Sequence, residues 1–280
     1  MCRLFGFRSA VVSRAHRSLI AAHNSVAEQA REHPHGWGIG YFQSGDAYVI
    51  KSETAAAECE SFRRAADQLA SHTLVAHVRR ATVGEVGPLN THPFRNGRWI
   101  FAHNGTVFDF DRIEGRMREA TPADLLSRRL GSTDTELLFF FLLGRLADAG
   151  IDPEGRSPTM IEPLAGAIVS AMESLHRWSA ESGAQRPVVN FLLTNGRAFV
   201  AHRDGRELYF ATQKSRCRDS ETCAEREKPC LLDARPHERV NHLLVASERI
   251  GDEDRWEEVP DRAIVALAED FRLRVWSYGT

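Results

Sequence analysis

The sequence predicts one domain of mixed α and β layers, on three observations. Strand-like apolar segments lie at both ends of the chain, two long helical segments sit between them, and no linker or internal repeat divides the 280 residues into separate cores. The chain opens on an apolar strand, Leu4-Phe5-Gly6-Phe7, expected at a sheet edge. Ser18 to Arg31 reads as a helix, since Leu19, Ile20, Val26, Ala27 and Ala30 share a face, and His33-Pro34-His35-Gly36 ends it. Trp37–Phe42 and Ala47–Lys51 predict a hairpin around Gln43-Ser44-Gly45-Asp46. The three-to-four spacing of Phe62, Ala65, Ala66 and Leu69 predicts a second helix.

Thr73–Val78 reads as a continuous strand that runs into Arg79-Arg80. A loop punctuated by Gly and Pro covers Thr82 to Gly97, and the short strand Trp99–Ala102 follows. Thr133 with Glu136 three residues on is a capping-box signature for a helix that stops near Gly150. That helix is apolar on every side for two turns, which predicts deep burial. Another helix spans Met160 to Trp178. Beyond it the pattern turns to strands. Val188–Thr194 and Arg197–His202 flank Asn195-Gly196, a strong hairpin signal, and Leu208–Thr212, His242–Ala246, Ala263–Leu267 and Phe271–Trp276 complete the set. Residues 214–236 are polar and charged, and a flexible loop is expected there.

Composition narrows the function classes. A hydrophobic content of 42% with 26% charged residues is ordinary globular usage. A net charge of −2 supplies no electrostatic reason to expect nucleic acid or an anionic membrane as partner. The longest apolar run, Leu137 to Leu143, is far short of the roughly 20 residues a bilayer demands. No signal-peptide pattern opens the chain, so a cytoplasmic protein with reduced cysteines is expected.

The chemistry starts at Cys2. Removal of Met1 would make it the amino terminus, with a general base on its own backbone. An α-amine titrates at about 7.7–8.0 and a free thiol at about 8.5, so the amine can take the thiol proton near neutral pH. The plainer use of Cys2 is as a small hydrophobe in a strand. Arg79 and Arg80 close a strand where a loop begins, either as a solvated strand end or, since a guanidinium binds a carboxylate bidentately, as a clamp for one. Asn104-Gly105 directly follows a strand, where an amide and a glycine N–H can form an oxyanion hole, or simply a tight turn. Asp134 stands at a helix start, as a cap or as a partner for an ammonium. A nucleophile with its own base, an oxyanion pair and clamps for a carboxylate and an ammonium together match an α-amino acid head with an amide tail, as in glutamine.

The order of motifs resembles the class II glutamine amidotransferases, which are N-terminal-nucleophile hydrolases, and in particular the stand-alone YafJ-like and EgtC-like group. The residues that carry the resemblance are Met1-Cys2, His35-Gly36-Trp37-Gly38, Ala76 to Thr82, Asn90-Thr91-His92-Pro93-Phe94, Ala102-His103-Asn104-Gly105 and Ser132 to Glu136. Val245-Ala246-Ser247-Glu248, Trp256 and Val259-Pro260 add a fainter likeness. The resemblance implies an α+β fold, a four-layer αββα sandwich with mainly antiparallel sheets. It implies that Cys2 attacks the γ-carboxamide, that Asn104 and Gly105 hold the oxyanion, and that Arg79 binds the substrate carboxylate and Asp134 its ammonium. Thr82, His92 and the Gly36-Trp37-Gly38 loop would line the pocket. No cofactor is implied.

Two positions depart from the sugar-phosphate amidotransferases. Arg80 stands where they carry a tryptophan, and Val83 where they carry a histidine. The last predicted strand ends close to Thr280, so the expectation is either hydrolysis of a γ-glutamyl amide for its own sake or transfer of ammonia to a separate synthase subunit. Hydrolysis of another γ-glutamyl compound and a non-catalytic partner role are the alternatives. Cys217, Cys223 and Cys230 lack the short paired spacing of structural zinc sites, and no metal is expected.

Overall fold

The structure is a computed structural model and describes residues 2–214 and 239–279. In chain order, β1 (Arg3–Arg14) leads through a π turn to the short helix α1 (Val26–Gln29), then to β2 (Trp37–Gln43), β3 (Asp46–Ser52), α2 (Glu60–Gln68) and β4 (Ala70–Val78). Next come β5 (Phe94–Asn96), β6 (Trp99–Thr106), α3 (Phe110–Glu119), α4 (Ala123–Leu126), α5 (Asp134–Asp148) and α6 (Ile161–Glu181). The remaining strands are β7 (Val188–Thr194), β8 (Phe199–Arg203), β9 (Tyr209–Ala211), β10 (His242–Ala246), β11 (Glu257–Glu258), β12 (Ala263–Leu267) and β13 (Leu273–Ser277).

These strands form two sheets, ordered β11-β9-β10-β1-β4-β2-β3 and β13-β12-β8-β7-β6-β5. Neighbours within each sheet pair antiparallel, as β1 does with both β10 and β4. Side chains alternate across a strand, and the alternation here sorts into three apolar layers. Leu4, Val75, Ile100, Ala102, Leu192 and Val265 fill the space between the sheets. Phe5, Phe7, Trp37, Ile39, Leu74 and Phe62 pack the first sheet against α1 and α2. Trp99, Phe101, Phe191 and Ile264 pack the second sheet against α3, α5 and α6. The result is an αββα sandwich. Each fully buried Leu, Ile, Val or Phe contributes about 1.5–3 kcal/mol relative to exposure, so the layers are held mainly by these faces.

Several expectations change in the structure. The opening strand lies inside its sheet, between β10 and β4, because both of its edges find partners. The helix expected over Ser18–Arg31 is interrupted: Ala22 is extended, and Ser25 restarts the chain as an N-cap whose Oγ accepts from the Glu28 N–H. Helices α3 and α4 were not anticipated. Asp109, in the left-handed region at φ 48°, leads into α3, whose Ile113 and Met117 are buried. In the capping box, Thr133 Oγ1 accepts from the Glu136 N–H, but Glu136 turns its carboxylate to the N–H groups of Leu130 and Gly131. Among the described residues no helix is long and apolar enough to cross a membrane. Cys217, Cys223 and Cys230, with most of the loop expected over 214–236, lie outside the described residues.

Candidate active site

The pleat of four strands sets the site. In β1, Leu4 faces the second sheet and Phe5 the helical layer. Gly6 shares the phase of Leu4, and a Cβ there would stand 2.8 Å from Leu192 Cδ1 of the opposite sheet. Cys2 has the same phase, immediately before the strand. In β6, Ile100 and Ala102 face the first sheet, and Asn104 continues their row. In β10, Leu243 and Val245 set the row that Ser247 extends. In β4, Val75 sets the row of His77 and Arg79. The period of two therefore turns Cys2, Asn104, Ser247 and Arg79 toward the inter-sheet space.

The Cys2 thiol accepts a hydrogen bond from the Arg80 N–H at 3.3 Å, and its S–H can reach the Arg80 carbonyl at 3.5 Å. Burial pushes the thiol pKa up, while the Arg80 backbone contact and the charge of Arg79 pull it down and Asp134 opposes them. Burial wins, so near neutral pH the sulfur is a thiol that needs a base.

Asn104 is buried, and its Nδ2 donates to Ser247 Oγ at 3.2 Å. Its Oδ1 is buried without a partner. Beside it, Gly105 has no room for a side chain: a Cβ would lie 1.9 Å from the Val188 carbonyl oxygen. His103, on the other face of β6, places Nδ1 2.9 Å from Thr135 Oγ1 and Nε2 3.1 Å from the Val188 carbonyl. Burial lowers its pKa and favours the neutral ring. A proton on Nε2 then donates to Val188, and Nδ1 accepts from the Thr135 hydroxyl.

Arg79 is buried and shapes the loop that follows it. Nη1 donates to the Glu85 carbonyl at 3.0 Å, and Nη2 to those of Val83 and Gly84 at 3.0 and 3.4 Å. Asp134 is also buried, and its carboxylate accepts the N–H groups of Val107 and Thr135, each at 2.8 Å. Burial lowers the pKa of Arg79 and raises that of the Cys2 thiol, and the charge of Asp134 opposes the first shift and adds to the second. Thr82 is exposed on the loop that Arg79 gathers.

One side chain of the expected pocket loop points away from the inter-sheet space. Trp37 is fully buried in the helical layer, edge-on to Phe62 with ring centroids 5.1 Å apart. His92 is buried as well, with Nδ1 3.0 Å from His77 Nε2. The pleat explains the position of Trp37. Trp37 and Gly38 point to opposite faces, and Gly38 is what allows the His92-Pro93 backbone to approach: a Cβ there would be 2.1 Å from the His92 carbonyl oxygen. Gly36, at φ 124°, also takes a conformation that favours glycine. Its carbonyl accepts from the Arg79 N–H at 2.8 Å, which ties this segment to the clamp.

Two residues had no site role assigned from the sequence, where Ser247 entered only within the fainter Val245–Glu248 likeness. Ser247 could have been found by extending the β10 alternation by one position. Arg206 follows β8 in a loop and had no signal. Burial lowers its pKa, a Cys2 thiolate would oppose that shift, and its Nε is buried without a partner. The Asn190 side chain fixes its backbone, donating to the Arg206 carbonyl at 2.9 Å, and Asn190 pairs directly with Asn104 across β6 and β7.

Two packed antiparallel sheets between helical layers, with a cysteine one residue before a central strand, define an N-terminal-nucleophile type of hydrolase fold. The chain belongs to the class-II glutamine amidotransferases: the family model matches residues 1–271. The relatives place it in the YafJ-like and EgtC-like group. It is 30% identical over 176 residues to Escherichia coli YafJ, covering 61% of this chain and 60% of that protein. It is 40% identical over 73 residues to the Mycobacterium tuberculosis γ-glutamyl-hercynylcysteine sulfoxide hydrolase, covering 26% of this chain and 31% of the other. The first few curated relatives are matched over 35% to 63% of their own length. A glutamine aminotransferase class-II domain protein from Silicibacter pomeroyi superposes over 100% of both chains with TM-score 0.65 and 17% identity, a likeness of fold.

Proposed function

We propose that this chain hydrolyses the γ-carboxamide of glutamine, or of a γ-glutamyl amide, through a γ-glutamyl thioester on Cys2. The observation that carries the reading is the row of side chains at the end of the inter-sheet space: Cys2 from one sheet, Asn104 from the other, and Arg79 and Asp134 close enough to act on the thiol through their charges. Once Met1 is removed, the α-amine of Cys2 takes the thiol proton and the sulfur attacks the amide carbon. Asn104 Nδ2 and the Gly105 N–H hold the oxyanion. The amine returns the proton to the departing nitrogen and the C–N bond breaks, so glutamine loses ammonia and an N-substituted γ-glutamyl amide loses its amine. Water then attacks the thioester with the same amine as base, releasing glutamate and the thiol. Arg79 holds the substrate carboxylate and Asp134 its ammonium. The test is glutamate release from glutamine and a panel of γ-glutamyl amides, with labelling by 6-diazo-5-oxonorleucine. Label on Cys2 and turnover lost in Cys2→Ala support the proposal, whereas turnover that survives Cys2→Ala refutes it.

Arg206 favours a second reading of the substrate. An arginine with an unpartnered Nε near the nucleophile suits an amide whose leaving amine carries an acidic group. Arg206→Ala should lower kcat/KM by about 10- to 150-fold for γ-glutamyl amides with a carboxylate on the leaving amine, in line with a charged hydrogen bond of about 1.5–3 kcal/mol. Glutamine turnover should change less than twofold. Equal losses on the two substrates would remove the case for Arg206.

A further inference from the structure

We infer that Ser247 is a positioning residue for the oxyanion hole, its hydroxyl fixing the Asn104 amide against the strand that carries the nucleophile. The inference rests on the reading of Asn104 as oxyanion donor. Three hydrogen bonds meet at this residue. Ser247 Oγ accepts the Leu4 N–H at 2.9 Å and the Asn104 Nδ2–H at 3.2 Å, and the Ser247 N–H donates to the Leu4 carbonyl at 2.9 Å. Leu4 stands two residues after Cys2 in β1, and Asn104 lies on β6 of the other sheet. One hydroxyl thus bridges the nucleophile strand and the oxyanion strand across the sandwich.

The bridge is the sole hydrogen bond of the Asn104 side chain among the described residues, since Oδ1 has no partner. Nothing else of that kind sets the amide's rotation. With one Nδ2 hydrogen held by Ser247, the other remains for the oxyanion. Both acceptor sites of Oγ are then filled, by Leu4 and by Asn104. Ser247 and Asn104 are both buried, so no solvent competes for the contact. The next residue braces the same strand, because Glu248 pairs with Arg3.

A group that orients an oxyanion donor acts on the transition state and leaves ground-state binding alone. Ser247→Ala should lower kcat about tenfold with KM within twofold, since the substrate head contacts Arg79 and Asp134. Ser247→Cys preserves volume with a weaker acceptor and should lose about threefold in kcat with its Tm close to the parent. In an Asn104→Ala background, Ser247→Ala should cost nothing further in kcat, because the group it orients is gone. Paired crystal structures of the parent and Ser247→Ala read the contact without turnover, and the Asn104 amide should rotate in the variant. An unchanged kcat, a full tenfold loss in the Asn104→Ala background, or an unmoved amide would each overturn the inference. A parent that turns over no γ-glutamyl amide, yet whose Asn104 rotates in the Ser247→Ala structure, would instead sink the functional proposal and keep the positioning role.

Discussion

Cys2→Ala is expected to abolish turnover, and one unremovable residue placed ahead of Cys2 is expected to come close to the same loss. In a serine protease, removal of the nucleophile costs about 10⁶-fold in kcat, which sets the scale for the first variant. The second variant keeps the sulfur and removes the base, because an α-nitrogen inside a peptide bond cannot take a proton. Burial raises the thiol pKa, so little thiolate forms unaided at neutral pH and the base is needed. The sign of the pH dependence follows. The amine must be unprotonated to act, so kcat/KM should rise with pH through about 7.7–8.0, falling tenfold per unit below that limb. Intact mass identifies processed protein, and a pH profile of ammonia release reads the limb. A profile flat from pH 6 to 9 with processed enzyme would exclude the amine as base.

Much of the fold was legible because its strands are long, apolar and regularly alternating. The Ser44-Gly45 hairpin and the segments around Asn195-Gly196 were readable from turn chemistry alone. Both Ser44 and Gly45 have positive φ, at 51° and 89°, as a two-residue hairpin with right-handed twist demands. The place of β1 inside its sheet was not legible, since pairing with β10 joins residues some 240 positions apart and leaves no local trace. Helix α3 was hidden by polarity, being built on two buried side chains in a charged segment. At the site, the motif residues Cys2, Asn104, Arg79 and Asp134 could be named as candidates, but motif membership does not say which way a side chain points. Trp37 shows the difference: it sits between two motif glycines, yet the pleat sends it into the helical layer. Applied to each motif strand, the same alternation would have separated Trp37 from Gly38 and added Ser247.

Gly105→Ala should damage stability and activity together, and the contrast with another glycine isolates the cause. Gly105 pairs with Val189 across β6 and β7, and an added Cβ would stand 1.9 Å from the Val188 carbonyl oxygen and 2.5 Å from His103 Nε2. Neither atom is the free end of a flexible chain. The carbonyl is sheet backbone, and the ring is held between Thr135 and Val188. The adjoining strands β6 and β7 must therefore part, at a cost of about 3 kcal/mol or more. For a chain of this size that lowers Tm by about 6–12 °C. The same displacement moves Asn104, the neighbouring oxyanion donor, so kcat should fall by about 10²–10³, as for loss of such a donor. Gly166 provides the control. It lies in α6, exposed, and a Cβ added there would meet nothing within 4 Å. Gly166→Ala should stabilise by about 0.4–1 kcal/mol through the unfolded chain and leave kcat unchanged. Thermal melts and ammonia release on the two variants decide the matter. If Gly105→Ala melts and turns over like Gly166→Ala, the strand spacing that positions Asn104 is not as rigid as this geometry requires.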